Sequence, residues 1–380
     1  MPHDRQLVRV AIALCALGFG ACTDAPQSKP AAVPASPAAA PQSPPQSAPL
    51  GSPAAALGTN IWVCYQARNG DRWFGSDGEG VYRFDGTTLR RYLAADGLPD
   101  NHVRELQEDA SGAIFIGTLG GVCKFDGRAI VALAPVEHDE VGGGGWRLEP
   151  GDLWFKGDSN SDGPLRWDGA TLHRLHFPRT ERGDEHLRVN GVRPWSPYGV
   201  YTIYRDRRGS LWFGTLALGL CRYDGRGFEW MYERELSETP EGGSFGIRSI
   251  MEDRDGRFWI CNTAQRFVIE DGAGAGAGAV KYRAERGVPM AEAGAGKTPI
   301  YFNSIARDAR GDLWLCTYGD GVWRFDGTSL RRYVVRPGAK DVLGVSVSAD
   351  QRGEIWLATQ DAGVFRFDGE RFRAYDAASR

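Results

Sequence analysis

The thirteen residues GVYRFDGTTLRRY at 80–92 return almost unchanged as GVWRFDGTSLRRY at 321–333. Self-similarity on this scale constrains the chain more than any local propensity, because a repeated unit must stack on copies of itself to bury its apolar face. The core of the phrase, an aromatic residue followed by Asp-Gly, recurs as FDG at 84–86 and 125–127, WDG at 167–169 and YDG at 223–225. It continues as a degenerate EDG at 270–272, then FDG at 325–327 and 367–369. A second phrase, Gly-x-apolar-aromatic, precedes each copy, at 70–73, 112–115, 151–154, 209–212, 256–259, 311–314 and 353–356. The two phrases alternate strictly, so the chain holds seven repeats.

Each repeat reads as four short strands. The first ends at an Asp-x-x-Gly turn, as at Asp109–Gly112, Asp206–Gly209, Asp253–Gly256, Asp308–Gly311 and Asp350–Gly353. There Asp caps the turn and Gly takes a backbone angle that other residues resist. The second strand carries the Trp. The third and fourth are joined by Asp-Gly, a strong hairpin signal because the turn needs positive φ. Four antiparallel strands, radially repeated seven times, predict an all-β chain folded as a seven-bladed β-propeller. Asn60–Tyr65 is expected as the innermost strand of blade one and Phe372–Tyr375 as the outermost strand of blade seven, with no strand exchanged to close the ring.

Six of the twelve Trp (Trp73, Trp154, Trp212, Trp259, Trp314 and Trp356) share one repeat position, with Phe115 in the seventh copy. A residue type common to every blade serves the fold, so these rings are expected as wedges between blades.

The stretches NHVRELQEDASGAIFIGTLGGVCKFDG and SIARDARGDLWLCTYGDGVWRFDG resemble the two-component regulator propeller repeat. The resemblance covers 59–375. It implies a seven-bladed propeller of the kind that forms the periplasmic sensor of bacterial hybrid histidine kinases. The sequence departs from that family pattern after the propeller: up to Arg380 it shows no spacer domain, membrane helix, kinase or helix-turn-helix. Output by phosphorylation is therefore not expected from the resemblance.

Arg5 and Arg9 precede the apolar run VAIALCALGFG and then Ala21-Cys22, which reads as an export signal over 1–21, too short to span a bilayer. FGAC resembles a bacterial lipobox, with Phe19 as a departure, and makes Cys22 the expected lipidated residue. Thr23 after it resembles the outer-membrane rather than the inner-membrane sorting pattern. Residues 22–58, rich in Ala, Pro, Ser and Gln, read as a disordered tether, and 59–380 as the propeller. The expected location is the bacterial cell envelope, with the head in the periplasm or at the surface, monomeric and held to the membrane by lipid alone. Lys and Arg number 45 against 48 Asp and Glu, and no basic stripe appears, so nucleic acid is not an expected partner. Of seven Cys, Cys261 and Cys316 stand where other blades use Gly or Ala, and Cys123 and Cys221 share another position. Such Cys are expected to be small buried residues with free thiols.

The repeats also align against one another. Positions that agree hold the fold, whereas insertions mark where function is written. The long ones, at 134–140, 176–198, 232–245 and 283–299, are expected on the face around one mouth of the axial channel. The residues ten and eight places before the repeat Gly lie near that mouth: Asn60, Trp62, His102, Arg104, Tyr201, Arg248, Tyr301 and Asn303. Arginines there can grip an anionic group and the aromatic rings can stack on a sugar or peptide. A small ligand, a glycan or an envelope protein is the expected partner, and water filling a polar channel is the alternative.

Two further readings are carried. DSNSDG at 158–163 matches the start of a calcium loop, with Asp158, Asn160 and Asp162 as ligands. Position twelve is Gly169, so the closing Glu is missing, and no cofactor is otherwise expected. An enzyme similar to streptogramin lyase, another seven-bladed propeller, would need a His with a partner acid at the mouth. His102 is the one His placed there; no second His or Glu converges with it by repeat position. A non-catalytic binder is the preferred reading, with the lyase and an envelope scaffold as alternatives.

Overall fold

The computed structural model describes residues 50–138, 145–158, 160–191, 195–237, 246–270, 278–287 and 301–377. The expected signal, Cys22 and most of the tether lie outside the described residues. Seven sheets follow one another along the chain, each adjoining the next. Blade one runs Ile61–Gln66, Arg72–Ser76, Val81–Phe84 and Leu89–Tyr92 from the axis outward, and blade seven runs Gly344–Ala349, Ile355–Thr359, Val364–Phe367 and Phe372–Ala374. No strand is exchanged between them. The seam is closed instead by Ser346 Oγ donating to the Trp62 carbonyl at 2.6 Å, Gly363 N to the Thr59 carbonyl at 2.7 Å and Gln351 N to Gln66 Oε1 at 3.2 Å.

Both sequence phrases belong to one joint between blades. At four joints the repeat aromatic of a blade packs on the aromatic of the next blade's aromatic-Asp-Gly phrase. Trp73 meets Phe125 at 5.1 Å between ring centroids, Phe115 meets Trp167 at 5.2 Å, Trp259 meets Phe325 at 4.8 Å and Trp314 meets Phe367 at 4.6 Å. Where that phrase degenerates to EDG, Trp212 takes Phe258 instead, at 5.0 Å. The rings are buried, Phe367 partly, and removing about 150–250 Å² of surface from water per ring is the main term holding the ring together.

The Asp of the Asp-x-x-Gly turn does two jobs in blades four to seven. Its Oδ1 accepts backbone N–H groups two and four residues on, as Asp308 does from Arg310 and Asp312. Its Oδ2 accepts the indole N–H six residues on, as in Trp212 to Asp206 at 2.8 Å and Trp314 to Asp308 at 3.1 Å. Gly311 sits at φ 84°, where a Cβ would be strained. Blades one and three lack this acid: Ala67 and Leu148 stand six residues before Trp73 and Trp154, and both indole N–H groups are buried without a partner.

Four antiparallel strands per blade holds for blades two, five, six and seven, and three blades depart from it. In blade three the sheet is Leu153–Phe155, Leu165–Trp167 and Leu172–Arg174, with Val136–Glu137 added in parallel on the outside; no innermost strand is present among the described residues. Trp146 packs into the joint with blade four, on Trp154, Phe177, Phe213 and Phe228. Blade four gains Gly278–Ala279 in parallel on its outer strand, drawn from the Ala-Gly run after blade five's third strand. Blade one gains Ser52–Pro53, paired with Arg90 and Arg91, while Leu50, Ala54 and Leu57 pack on its core. The last residues of the segment read as tether therefore lie on the folded head, because they carry the apolar side chains that the Pro/Ser-rich stretch lacks. Among the described residues no helix is long and apolar enough to cross a membrane.

Candidate functional site

The mouth is built by one recurring irregularity. The innermost strands of blades one, two, four, six and seven each slip register once against the second strand, and the residues left out of the ladder are Trp62, Arg104, Tyr201, Asn303 and Val345. All five stand eight places before the repeat Gly. A bulge re-aims a side chain that a regular strand would bury between blades, which is how one sequence position becomes a ring at the axis. The next residue inward stitches the strands. Ser249 Oγ donates to the Phe302 carbonyl at 3.1 Å, Ser304 Oγ to that of Val347 at 3.2 Å, and Ser346 Oγ to that of Trp62. In blade two this place is Glu105, whose carboxylate accepts Lys156 N at 2.9 Å; burial pushes its pKa up against the Lys156 charge and amide bond.

The second-to-third-strand turns form the rim. In blades one, two, four, six and seven a Ser or Thr ends the second strand and bonds back across the turn, as Ser76 Oγ to the Gly80 carbonyl at 2.7 Å and Thr215 Oγ1 to that of Gly219 at 2.9 Å. The residue that follows donates its backbone N–H to the start of the same blade's innermost strand: Asp77 to the Asn60 carbonyl, Leu119 to His102, Leu216 to Gly199 and Gln360 to Leu343. These four positions are thus structurally equivalent.

On this frame the expected residues fall into two groups. Between blades one and two, the Arg104 guanidinium lies 4.1 Å from the Trp62 ring centroid and donates to Asp77 Oδ1 at 2.7 Å. Trp62 Nε1 donates to Asn60 Oδ1 at 2.9 Å, and Asn60 Nδ2 reaches the Asp77 carbonyl at 3.4 Å. His102 Nδ1 sits 2.7 Å from Asp100 Oδ1, whose pKa burial raises but the His102 amide and imidazole bonds bring below the ordinary value. Between blades four and five, the exposed Arg248 guanidinium lies 4.5 Å from the Tyr201 ring centroid. Tyr301 is exposed, and Asn303 Nδ2 donates to the Gly344 carbonyl at 3.3 Å. Asp77 is the member that the repeat alignment passed over; four residues after the repeat aromatic, blades two, four, five, six and seven carry Leu119, Leu216, Thr263, Tyr318 and Gln360, and blade three repeats the acid as Asp158.

The calcium-loop residues are drawn to different partners. Asp158 lies 3.5 Å from the Arg174 guanidinium, Asp162 bonds to Ser196, and Asn160 N donates to Asp158 Oδ1. Among the described residues no three His, Cys, Asp or Glu side chains converge as metal ligands. The insertion at 176–198 contains a helix, Glu181–Asn190, capped by Thr180. The five described Cys are buried and free, as was expected for Cys261 and Cys316 from the Gly and Ala of other blades and for Cys123 and Cys221 from their shared position.

Residues 194–217, which span the start of blade four, match the family described as two component regulator propeller. Among curated proteins no sequence matches. The fold is similar to the extracellular domain assigned to a one component system of B. thetaiotaomicron, at 18% identity and a TM-score of 0.53, over 83% of this chain and 39% of that one. The chain therefore spans about two fifths of that neighbour's length. It is also similar to virginiamycin B lyase from Staphylococcus aureus, at 15% identity and a TM-score of 0.56, over 81% of this chain and 94% of the lyase. A third neighbour is PorZ, a surface component of the type-IX secretion system of Porphyromonas gingivalis, at 14% identity and a TM-score of 0.54, over 81% of this chain and 46% of PorZ. At these identities the likeness is one of fold. The chain is a seven-bladed β-propeller in which residues 194–217 match the two-component regulator propeller repeat.

Proposed function

We propose that this protein is a non-catalytic, sensor-like envelope propeller, lipid-anchored through Cys22, which binds a ligand or partner at the channel mouth. The carrying observation is the pair of aromatic–arginine contacts at one repeat position on the rim, Arg104 over Trp62 and Arg248 over Tyr201. The rest of the fold has no need of polar bulge residues there: blade seven places Val345 at the same position. The envelope location rests on the reading of 1–22 and agrees with the extracellular neighbour.

The test is a thermal-shift screen of the protein against acidic and neutral oligosaccharides and peptides, in which a ligand at 100 times its Kd adds about 2.7 kcal/mol. Hits are expected to vanish in Tyr201→Ala and Arg248→Gln and to survive Asp126→Asn on the opposite face. Hits lost equally by the latter would overturn the mouth as the site.

A second reading, a lyase, is favoured by the His102–Asp100 pair and by the lyase neighbour. Virginiamycin B incubated with the protein is expected to persist. Its consumption, abolished in His102→Ala, would replace the binder with the enzyme.

A further inference from the structure

The two aromatic–arginine pairs are repeats of each other, and they differ in one respect. Trp62 and Tyr201 occupy the same bulge of blades one and four; Arg104 and Arg248 stand at the equivalent position of blades two and five. Each arginine therefore leans on the aromatic of the blade before it. In the first pair that earlier blade also supplies an acid: Asp77, the residue after the second strand, accepts from Arg104 at 2.7 Å. In the second pair the equivalent residue is Leu216, placed by the same backbone bond, to the Gly199 carbonyl at 2.9 Å, that ties Asp77 to Asn60. Leu216 is buried and can accept nothing. The Arg248 guanidinium is exposed, and among the described residues it has no acid or other hydrogen-bond partner. The surrounding backbone is shaped to keep the ring in place: Gly246 sits at φ 68°, and a Cβ there would stand 2.4 Å from the Tyr201 ring.

A guanidinium stacked on an aromatic face with its donor edge open is poised for a planar two-oxygen acceptor. From this internal comparison we infer that the mouth ligand carries a carboxylate, which sits on Arg248 beside Tyr201 in the place that Asp77 fills on Arg104. The inference rests on the mouth reading above and adds the ligand's chemical class and its anchor. The closed pair, Asp77–Arg104–Trp62, then forms part of the rim, and the open pair is the binding position. A free organic acid and the acidic group of a larger molecule share this chemistry. A small probe reads it in either case.

The experiment is isothermal titration of the full-length protein with glutarate and with glutaramide, matched in shape and lacking the charge. One glutarate is expected per chain, bound about 10–100-fold more tightly than glutaramide, the ratio for one charged hydrogen-bonded contact. Arg248→Gln is expected to remove this preference and Asp126→Asn, in a hairpin turn on the opposite face, to leave it. Leu216→Asp supplies the missing internal acid and is expected to abolish glutarate binding. Because an acid at a buried position can also unfold the blade, the reciprocal Asp77→Leu is decisive: it opens Arg104 and is expected to raise the stoichiometry from one to two. A polymeric carboxylate competing with glutarate would mark the larger source, and glutarate alone binding the smaller. No saturable glutarate binding, equal affinity for glutaramide, binding retained in Arg248→Gln, or a stoichiometry of one in folded Asp77→Leu would each overturn the inference. Tyr201-dependent binding of uncharged ligands would do so while leaving the mouth reading intact. Binding indifferent to both pairs would instead remove that reading.

Discussion

Trp314 donates its indole N–H to Asp308, six residues upstream, and the same bond links Trp212 to Asp206, Trp259 to Asp253 and Trp356 to Asp350. One carboxylate thus caps the turn into each second strand and satisfies a buried ring. Asp308→Ala leaves that indole and two turn amides without an acceptor, and is expected to cost roughly 2–4 kcal/mol. Asp308→Asn, which keeps one oxygen, is expected to cost less. Urea unfolding of the two variants checks the order.

Blade one offers the opposite experiment. Ala67 stands where the acid belongs, and Trp73 Nε1 is buried without a partner. Ala67→Asp is expected to stabilise the protein by about 1 kcal/mol, the net value of one intramolecular hydrogen bond. The readout is a higher urea midpoint at an unchanged slope; a lower midpoint would show that the site cannot admit the carboxylate.

The Asp-Gly hairpins make stability sensitive to acid. The backbone N–H groups of Ser329 and Thr328 bring Asp326 down from 3.8 to about 2, and Asp85, Asp126 and Asp368 are lowered in the same way by their own turn amides. A folded pKa below the unfolded one means that the contribution is full above 3.8 and is lost as pH falls from there through about 2. The melting temperature is expected to drop steeply in that window. Asp326→Asn should flatten the slope.

Cys64, Cys123, Cys221, Cys261 and Cys316 are buried and free, and burial pushes the Cys123 and Cys316 thiols up to about 12. A thiol-specific reagent at pH 8 is expected to leave these five unmodified in the native protein and to label them all in denaturant. Rapid native labelling of Cys316 would contradict the packing around Trp314.

Much of this was legible because it repeats. Seven copies of two phrases define seven blades, and the aromatic at each shared position announces its joint. Arg104, Trp62, Tyr201 and Arg248 were visible as polar or aromatic departures at an axial position. What escaped is what occurs once. Asp77 lies in a turn that varies from blade to blade, and its acid gains a meaning only from the Arg104 guanidinium within its reach. Blade three was read as regular from Trp154 and Trp167, but Leu148 replaces the turn acid and Trp146 packs into the joint with blade four. The parallel additions at 136–137 and 278–279 follow no period, since they pair through backbone groups that any residue carries.

The most direct test of the binding face is amide hydrogen exchange with and without the strongest hit from the thermal-shift screen. Protection is expected to gather at 60–62, 77–80, 102–104, 199–202, 216–218 and 246–248, the bulges and turns that form the mouth. Protection confined to the turns at 109–112, 206–209, 253–256 and 308–311 would place the ligand on the opposite face and contradict the account.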